Sequence, residues 1–378
     1  MALSYETEPT NYKEASKDPR WMQLELNSLN HNHTWDLLDL PPNASPIGSK
    51  WVFKIKRHAD GSVERFKARL WHKLDVNNAF LHGDLHEAIY MKLPHGVLSS
   101  KVGQVCKLNK SLYGLKQASR QWFEKLTTFL QSQGFIHAHA DHTLLTKIDS
   151  SSFTAILMYV DDIILAETSL SMINTLKKAL DNTFHIKDLG QLKFFLGLEV
   201  ARSTKGITLC QRKYCLELLH DAGLAGCKPV STPLDASSRL HQDDGSSFSD
   251  VTAYRRLVGR HLFLTTTRPD IAFATQQLSQ FMSAPTESHY KVALRVLCYL
   301  KQSPARGIFL SQALDLQLSG FSDADWGGCV DTRRSISGYC FFIGQSLVSW
   351  KAKKQLTVSC YSVEEEYRSL ASATRELQ

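Results

Sequence analysis

The chain of 378 residues is 43% apolar and 21% charged, with a formal net charge of +7, the balance of an ordinary folded protein with room for two or three cores. Mild basicity spread along the chain suits a polyanionic partner without demanding one. Eight cysteines with no Cys-x-x-Cys pair exclude a zinc ribbon and a disulfide-rich secreted scaffold, and fit a reducing compartment.

The first residues, Met1-Ala2-Leu3-Ser4-Tyr5-Glu6, have neither a basic stretch nor an apolar core, so no signal peptide is expected. Residues 1–47 are polar, with a helix expected near Trp21–Leu29 and a Pro-Pro-Asn turn at 41–43. A hairpin follows: Lys50–Lys56, the turn Ala59-Asp60-Gly61, then Val63–Leu70. Asp-Gly between alternating runs is a strong hairpin signal. Lys54, Lys56, Arg57, Arg65, Lys67 and Arg69 make it basic, which a solvated surface explains as well as a binding one. Ser111–Gln133 has Leu115, Trp122, Leu126 and Phe129 near helical spacing. His137, His139 and His142 then lie in a loop with no Cys or Glu to complete a metal set.

The next segment is the most informative. Tyr159-Val160-Asp161-Asp162 sits between two apolar runs, Phe153–Met158 and Ile163–Ala166. Both flanks are rich in β-branched and bulky residues and predict two strands joined by a tight turn. That turn places two carboxylates at its tip. Asp is also a common turn residue, but a plain hairpin tip seldom joins strands that are apolar on both faces. The same two aspartates interrupt the longest apolar stretch, so no membrane span is expected.

Further along, Ser171–Phe184 predicts a helix with the stripe Ile173, Leu176, Leu180 and Phe184. Asp188-Leu189-Gly190 turns into a strand at Lys193–Val200, followed by a short strand, Ile207–Gln211, and a helix, Arg212–Ala222. Cys210, Cys215 and His220 are read as core or surface positions of this region, not metal ligands. Val230–Ser249, rich in Ser, Asp, Pro and Gly, predicts a linker. Helices continue through Lys301, with His261 an oddity inside the apolar run Leu257–Leu264. Strands are expected at 316–322 and 337–350. A last helix opens at Ser362-Val363-Glu364-Glu365, a capping-box pattern. Of the glutamates 364–366, Glu366 shares the Val363, Tyr367, Leu370 stripe and is expected to point inward, with Glu364 and Glu365 solvated.

Upstream of the acidic turn, Leu74-Asp75-Val76-Asn77-Asn78-Ala79-Phe80 supplies a third carboxylate, Asp75. These motifs stand in order with Lys50-Trp51-Val52-Phe53-Lys54, Lys67-Ala68-Arg69-Leu70, Ser111-Leu112-Tyr113-Gly114-Leu115-Lys116-Gln117-Ala118, Thr267-Arg268-Pro269-Asp270-Ile271, Ser322-Asp323-Ala324-Asp325-Trp326 and Ser349-Trp350-Lys351. In this the chain resembles, over nearly its whole length, the reverse transcriptase and ribonuclease H part of a copia-type retrotransposon Pol polyprotein.

The resemblance implies an α+β fold: a right-hand polymerase of palm, fingers and thumb, the fingers incomplete, followed by a truncated ribonuclease H-like domain. It divides the chain into fingers and palm at 1–229, a linker and connecting helices at 230–305, and the ribonuclease H-like part at 306–378. It implies two Mg2+ ions held by Asp75, Asp161 and Asp162, with template RNA or DNA, a primer and deoxynucleoside triphosphates as partners. Val76, Phe80, Lys67, Arg69, Tyr113 and Gly114 would contact the incoming nucleotide. For Phe80 that means a ring blocking a 2′-hydroxyl, although plain core packing would equally account for it. Phe195-Leu196-Gly197-Leu198 resembles a primer grip. Asp323 and Glu366 would belong to the ribonuclease H site. The setting implied is intracellular, cytoplasmic or nuclear, and away from membranes.

The chain departs from the family in two places. Four residues separate Leu70 from Asp75, a step of at most about 18 Å, where the family carries much of the fingers. Further ribonuclease H carboxylates normally lie beyond the position of Gln378, so hydrolysis of RNA in a hybrid is not expected. Two functions from different classes follow: an RNA-directed DNA polymerase, or an inactive remnant that at most binds nucleic acid.

Overall fold

The computed structural model describes residues 9, 12–17, 21, 26–27, 29–30, 32–49, 51–57, 63–70, 79–97, 101, 103–112, 115–149, 152–160, 162–168, 170–186, 188–235, 239–313 and 315–377. Most of the helix expected at Trp21–Leu29 falls outside them, as do Asp75, Val76, Tyr113, Gly114 and Asp161. The fold is α+β, and its ladders are antiparallel. Contacts gather the chain into two units, Met1–Gly190 and Gln191–Gln378.

The first unit opens with a short helix α1 (Tyr12–Ala15), then β1 (Trp35–Asp39), β2 (Trp51–Arg57) and β3 (Val63–Leu70). β2 and β3 form the expected hairpin, Lys54 opposite Lys67 and Val52 opposite Arg69. β4 (Asp84–Lys92) and β5 (Gln104–Lys110) join β1 in the order β1-β5-β4. Trp51, Met91, Cys106 and Leu108 make one core there.

The second core of this unit lies under α2 (Ala118–Ser132). The helix begins seven residues later than the sequence pattern predicts. The preceding residues turn instead, with Leu115 N–H donating to Leu112 O at 3.3 Å and Ala118 N–H to Leu115 O at 3.2 Å. Ser111, where the pattern would start the helix, is a weak helix former. Trp122, Leu126 and Leu130 are buried along its inner stripe, each such side chain contributing about 1.5–3 kcal/mol. They face β6 (Ile136–His137), β7 (Leu144–Asp149), β8 (Ser152–Tyr159) and β9 (Asp162–Glu167), paired in that order, and α3 (Leu170–Phe184). Leu176, Leu180 and Phe184 of α3 are buried as their spacing predicts.

In the second unit, the strand expected at Lys193–Val200 is a hairpin, β10 (Phe194–Phe195) and β11 (Leu198–Ser203). Its turn is Leu196-Gly197, both at positive φ (49° and 83°), the two-residue geometry that matches strand twist. β12 (Gly206–Cys210) and β13 (Ile308–Ser311) complete the order β10-β11-β12-β13. Helices α4 (Arg212–Asp221), α5 (Val251–Leu264), α6 (Ala272–Ser279) and α7 (Glu287–Lys301) share a core that includes Tyr254, Val258, Leu278, Val296 and Leu300.

The expected linker, 230–249, is in its described part a strap laid on that core. Leu240 is buried and Phe248 stacks on Tyr290 with ring centroids 4.3 Å apart. Pro and Gly mark where such a segment bends, while its few apolar residues decide that it is held. β14 (Leu318–Asp325), β15 (Ile336–Ile343) and β16 (Ser346–Lys354) form a meander, so the run 337–350 is two strands turning at Gly344, where φ is 55°. α8 (Ser362–Leu377) ends the described chain.

Candidate functional site

The acidic turn stands where its flanking runs predict. β8 and β9 pair from Thr154 opposite Glu167 to Tyr159 opposite Asp162. Thr154, Ile156 and Met158 alternate inward and are buried, as a strand with one face on a core requires. The ladder closes at Tyr159 opposite Asp162, and Val160 follows the last residue of β8. Val160 has φ 55°, a left-handed conformation that a β-branched residue rarely adopts. Asp162 stands at the first position of β9. The indole N–H of Trp122 donates to Val160 O at 2.7 Å.

The segment that follows Asp75 reaches the same helix. Residues Ala79–His82 form a 3-10 turn, and Ala79 and Phe80 are buried in the core with Trp122, Leu126 and Ile156. Gly83 then passes close to α2: a Cβ there would sit 3.2 Å from Trp122 N. Ser111 Oγ donates to Gln121 Oε1, and Ser111 N–H to Gly83 O at 3.3 Å. Phe80 is packed in this core. The side chains of Lys67 and Arg69 lie outside those described.

A second acidic group is built on β14 and α8. Asp323 and Asp325 are two apart on a strand and share a face. Asp325 accepts a hydrogen bond from Ile336 N–H; burial and, more weakly, Asp323 raise its pKa above the ordinary carboxylate value despite that bond. On α8 the expected phase is overturned. Glu366 is exposed, as are Val363, Tyr367 and Leu370, and the buried stripe is Glu365, Ser369 and Ala373. Glu365 is 2% exposed and accepts a hydrogen bond from Ser335 Oγ. Burial, and then Glu366, Asp325 and Asp323, raise its pKa. Ser369 Oγ donates to Asp323 O at 2.8 Å, so a stripe of small side chains, not the apolar one, carries the helix close to the sheet. Glu364 instead accepts from Cys360 N–H at 2.9 Å and pairs with Arg368 at 2.7 Å. Asp325 and Glu365 are the residues that sequence reasoning missed. The Asp-x-Asp spacing was a usable signal for the first; the small-residue stripe was one for the second. Among the described residues no three His, Cys, Asp or Glu side chains are grouped so as to hold a metal ion.

Thr267–Ile271 proves structural. Arg268 is 2% exposed, forks onto Asp270 and donates to Ser303 O at 3.1 Å. Tyr299 OH donates to Asp270 Oδ2 at 2.7 Å, and Thr267 Oγ1 to Gln211 Oε1 at 2.8 Å. This cluster ties the end of α5 to the end of α7. At the hairpin likened to a primer grip, Gly197 lies under Phe263, whose ring would be 3.4 Å from an added Cβ.

The β8–β9 hairpin, with Asp162 at its head and α2 and α3 packed in the same core, lies inside a stretch that the comparisons identify. The family described as Reverse transcriptase (RNA-dependent DNA polymerase) matches residues 69–236, and the chain belongs to the reverse transcriptase region of copia-type retrotransposon Pol polyproteins. It is 38% identical to the retrovirus-related Pol polyprotein from transposon RE1 of Arabidopsis thaliana, over 100% of this chain and 29% of that protein. With the one from transposon TNT 1-94 of Nicotiana tabacum it shares 33% identity, over 100% of this chain and 32% of that protein. A putative transposon Ty5-1 protein of Saccharomyces cerevisiae is 32% identical over 80% of this chain and 100% of its own length. The chain therefore spans about a third or less of the length of these Pol polyproteins. No helix among the described residues is long and apolar enough to cross a membrane.

Proposed function

We propose that this chain is the RNA-directed DNA polymerase part of a retrotransposon Pol protein, adding deoxynucleotides to a primer on an RNA or DNA template. One observation carries it: β8 and β9 pair up to Tyr159 opposite Asp162, so the hairpin closes at the sequence Tyr159-Val160-Asp161-Asp162, inside the stretch matched to the reverse transcriptase family. Asp75, Asp161 and Asp162 are hard oxygen donors of the kind Mg2+ takes. Two bound Mg2+ ions would supply charge neutralisation at the attacking and leaving oxygens. The protein's part is to hold the carboxylates, and Ala79–Gly83, the segment that follows Asp75 in the sequence, is kept against α2. Lys67 and Arg69 are assigned to the triphosphate on the family's motifs, since charged groups near phosphates suit that task. Val76, Phe80, Tyr113 and Gly114 are assigned to the nucleotide on the family's motifs.

The palm, fingers and thumb, and the division at 1–229, 230–305 and 306–378, belong to the same proposal. So does the reading of β14–β16 with α8 as part of a ribonuclease H-like domain. There Asp323 and Glu366 are the acidic pair beside buried Glu365. That pair alone is not expected to cut RNA in an RNA–DNA hybrid, and specific cleavage with Mg2+ would overturn this. The cysteine usage and the polymerase reading together favour an intracellular setting.

A second reading, an inactive remnant that at most binds nucleic acid, is favoured by one observation. The match to the RE1 protein runs over 422 aligned positions where this chain has 378 residues, so that relative carries residues this chain lacks. The short step from Leu70 to Asp75 is where the sequence places the shortfall. Primer extension on an RNA template with Mg2+ separates the two. Extension that disappears in Asp161→Ala/Asp162→Ala establishes the polymerase; no extension by a folded chain establishes the remnant.

A further inference from the structure

We infer that Trp122 is a positioning residue for the acidic turn: its indole N–H holds Val160 in the left-handed conformation and so fixes how the chain enters the Asp161-Asp162 pair. The inference rests on the polymerase reading above and deepens it.

Four observations converge. First, a two-residue hairpin turn of this kind wants Asn, Asp or Gly at positive φ, yet Val160 stands there at φ 55°. Second, the Val160 side chain is 46% exposed, so its own packing does not hold it there. Third, the restraint falls on its backbone, whose carbonyl accepts the Trp122 N–H at 2.7 Å. Fourth, the donor is itself immobile. Trp122 is 1% exposed and meets the Phe184 ring edge-on, the centroids 5.2 Å apart. Indole is a donor only, and a buried indole must find an acceptor. The acceptor it takes is on the one turn of the hairpin that carries the carboxylates. Strain retained at a functional turn needs surroundings that over-determine it, and this bond provides them. The Trp122 ring does not reach the reacting atoms; it acts through Val160.

The test uses the full chain and two variants at one position. Trp122→Phe keeps a ring against Phe184 and removes the donor. 3-Benzothienylalanine in place of Trp122 is nearly isosteric, also lacks the N–H, and serves if the Phe variant does not fold. Mn2+ alone, titrated and followed by its EPR signal, reads the carboxylates without requiring polymerisation. We expect a loss of Mn2+ affinity of about three- to tenfold, the range one hydrogen bond commands. Adding Val160→Gly, which accepts positive φ freely, should recover part of that loss. In primer extension, kcat should fall while KM for primer–template stays unchanged. A merely structural Trp122 would lower thermal stability alike with and without the Val160→Gly change and leave Mn2+ affinity alone. Equal Mn2+ affinity with and without the N–H, including no binding by either, overturns the inference. Mn2+ binding that depends on the Trp122 N–H, without primer extension, would sink the polymerase reading and leave the positioning role standing.

Discussion

Arg268 and Asp270, one proline apart, form a forked ion pair in the second unit: Nε donates to Oδ1 at 2.9 Å and Nη2 to Oδ2 at 2.7 Å. The guanidinium lies 5.6 Å from the Tyr299 ring centroid, and Tyr299 binds the same carboxylate. Removing one partner strands the other. Asp270→Ala should cost about 3–5 kcal/mol in urea unfolding, because Arg268 would stay buried with its charge uncompensated. A loss below about 1 kcal/mol, the level of an exposed pair, would show that water reaches the pair.

The same pair sets an acid limit. Burial alone would raise the Asp270 carboxyl, but hydrogen bonds from Arg268 and Tyr299 outweigh it and leave the pKa below its ordinary value. A lowered carboxylate pKa stabilises the fold fully above the unfolded value, about 3.9. That stability is lost as pH falls through the lowered value. Stability measured from about pH 5 downward should therefore decline more steeply in the parent chain than in Asp270→Asn.

His261 is wholly buried on α5, and neither ring nitrogen has a hydrogen-bond partner. Burial lowers its pKa from 6.5 to about 4. Protonation therefore favours the unfolded chain, and stability declines as pH drops from 6.5 towards about 4. His261→Leu should stabilise by about 1–3 kcal/mol, the cost of unsatisfied buried polar atoms, and should flatten that decline. Thermal melts across this pH range decide it; a variant no more stable than the parent would mean a partner for the ring.

Gly307 begins the run into β13. A Cβ there would lie 2.0 Å from Leu209 O and 2.8 Å from Cys210 Cβ. Backbone cannot step aside as a long side chain can, so Gly307→Ala should cost about 2 kcal/mol or more. Chemical denaturation would register it, and a neutral result would mean the β12–β13 pairing is looser than its register.

Thiol reactivity should follow burial. Cys360 is exposed, whereas Cys106 and Cys215 are buried and desolvation pushes both thiols up to about 11. Iodoacetamide on the native chain near pH ~8 should modify Cys360 and spare the other two. Early labelling of Cys215, read by peptide mass spectrometry, would reveal opening of the helical core.

The β8–β9 hairpin was legible in the sequence because its signal is doubled: apolar strands of the right length and an acidic pair that interrupts them. α3 was legible because its stripe recurs through four positions. Glu365 was not. On a helix, one residue of phase error swings a side chain by roughly 100°, and the apolar Val363, Tyr367 and Leu370 drew the stripe onto the exposed side. Small residues, Ser369 and Ala373, form the seam instead, and close approach of backbones is not a hydrophobic signal. The Leu196-Gly197 and Gly344 turns were hidden inside apolar runs, where one glycine was outweighed by its neighbours. The strap failed similarly: composition marked a bendable segment, but Leu240 and Phe248 anchor it.

β13 has a consequence of another kind. It comes after the last helix of the core, yet it covers β12 from Gly206 to Leu209, and its final residue, Ser311, donates its N–H to Ser346 Oγ at 2.8 Å. A shortened copy stopping after Lys301 would keep every helix of that core but leave β12 as a bare edge. Bare edges recruit strands from neighbouring chains. Such a copy should scatter light where the longer chain stays clear, so the cost of the cut would fall on solubility before it fell on the packing of the helices.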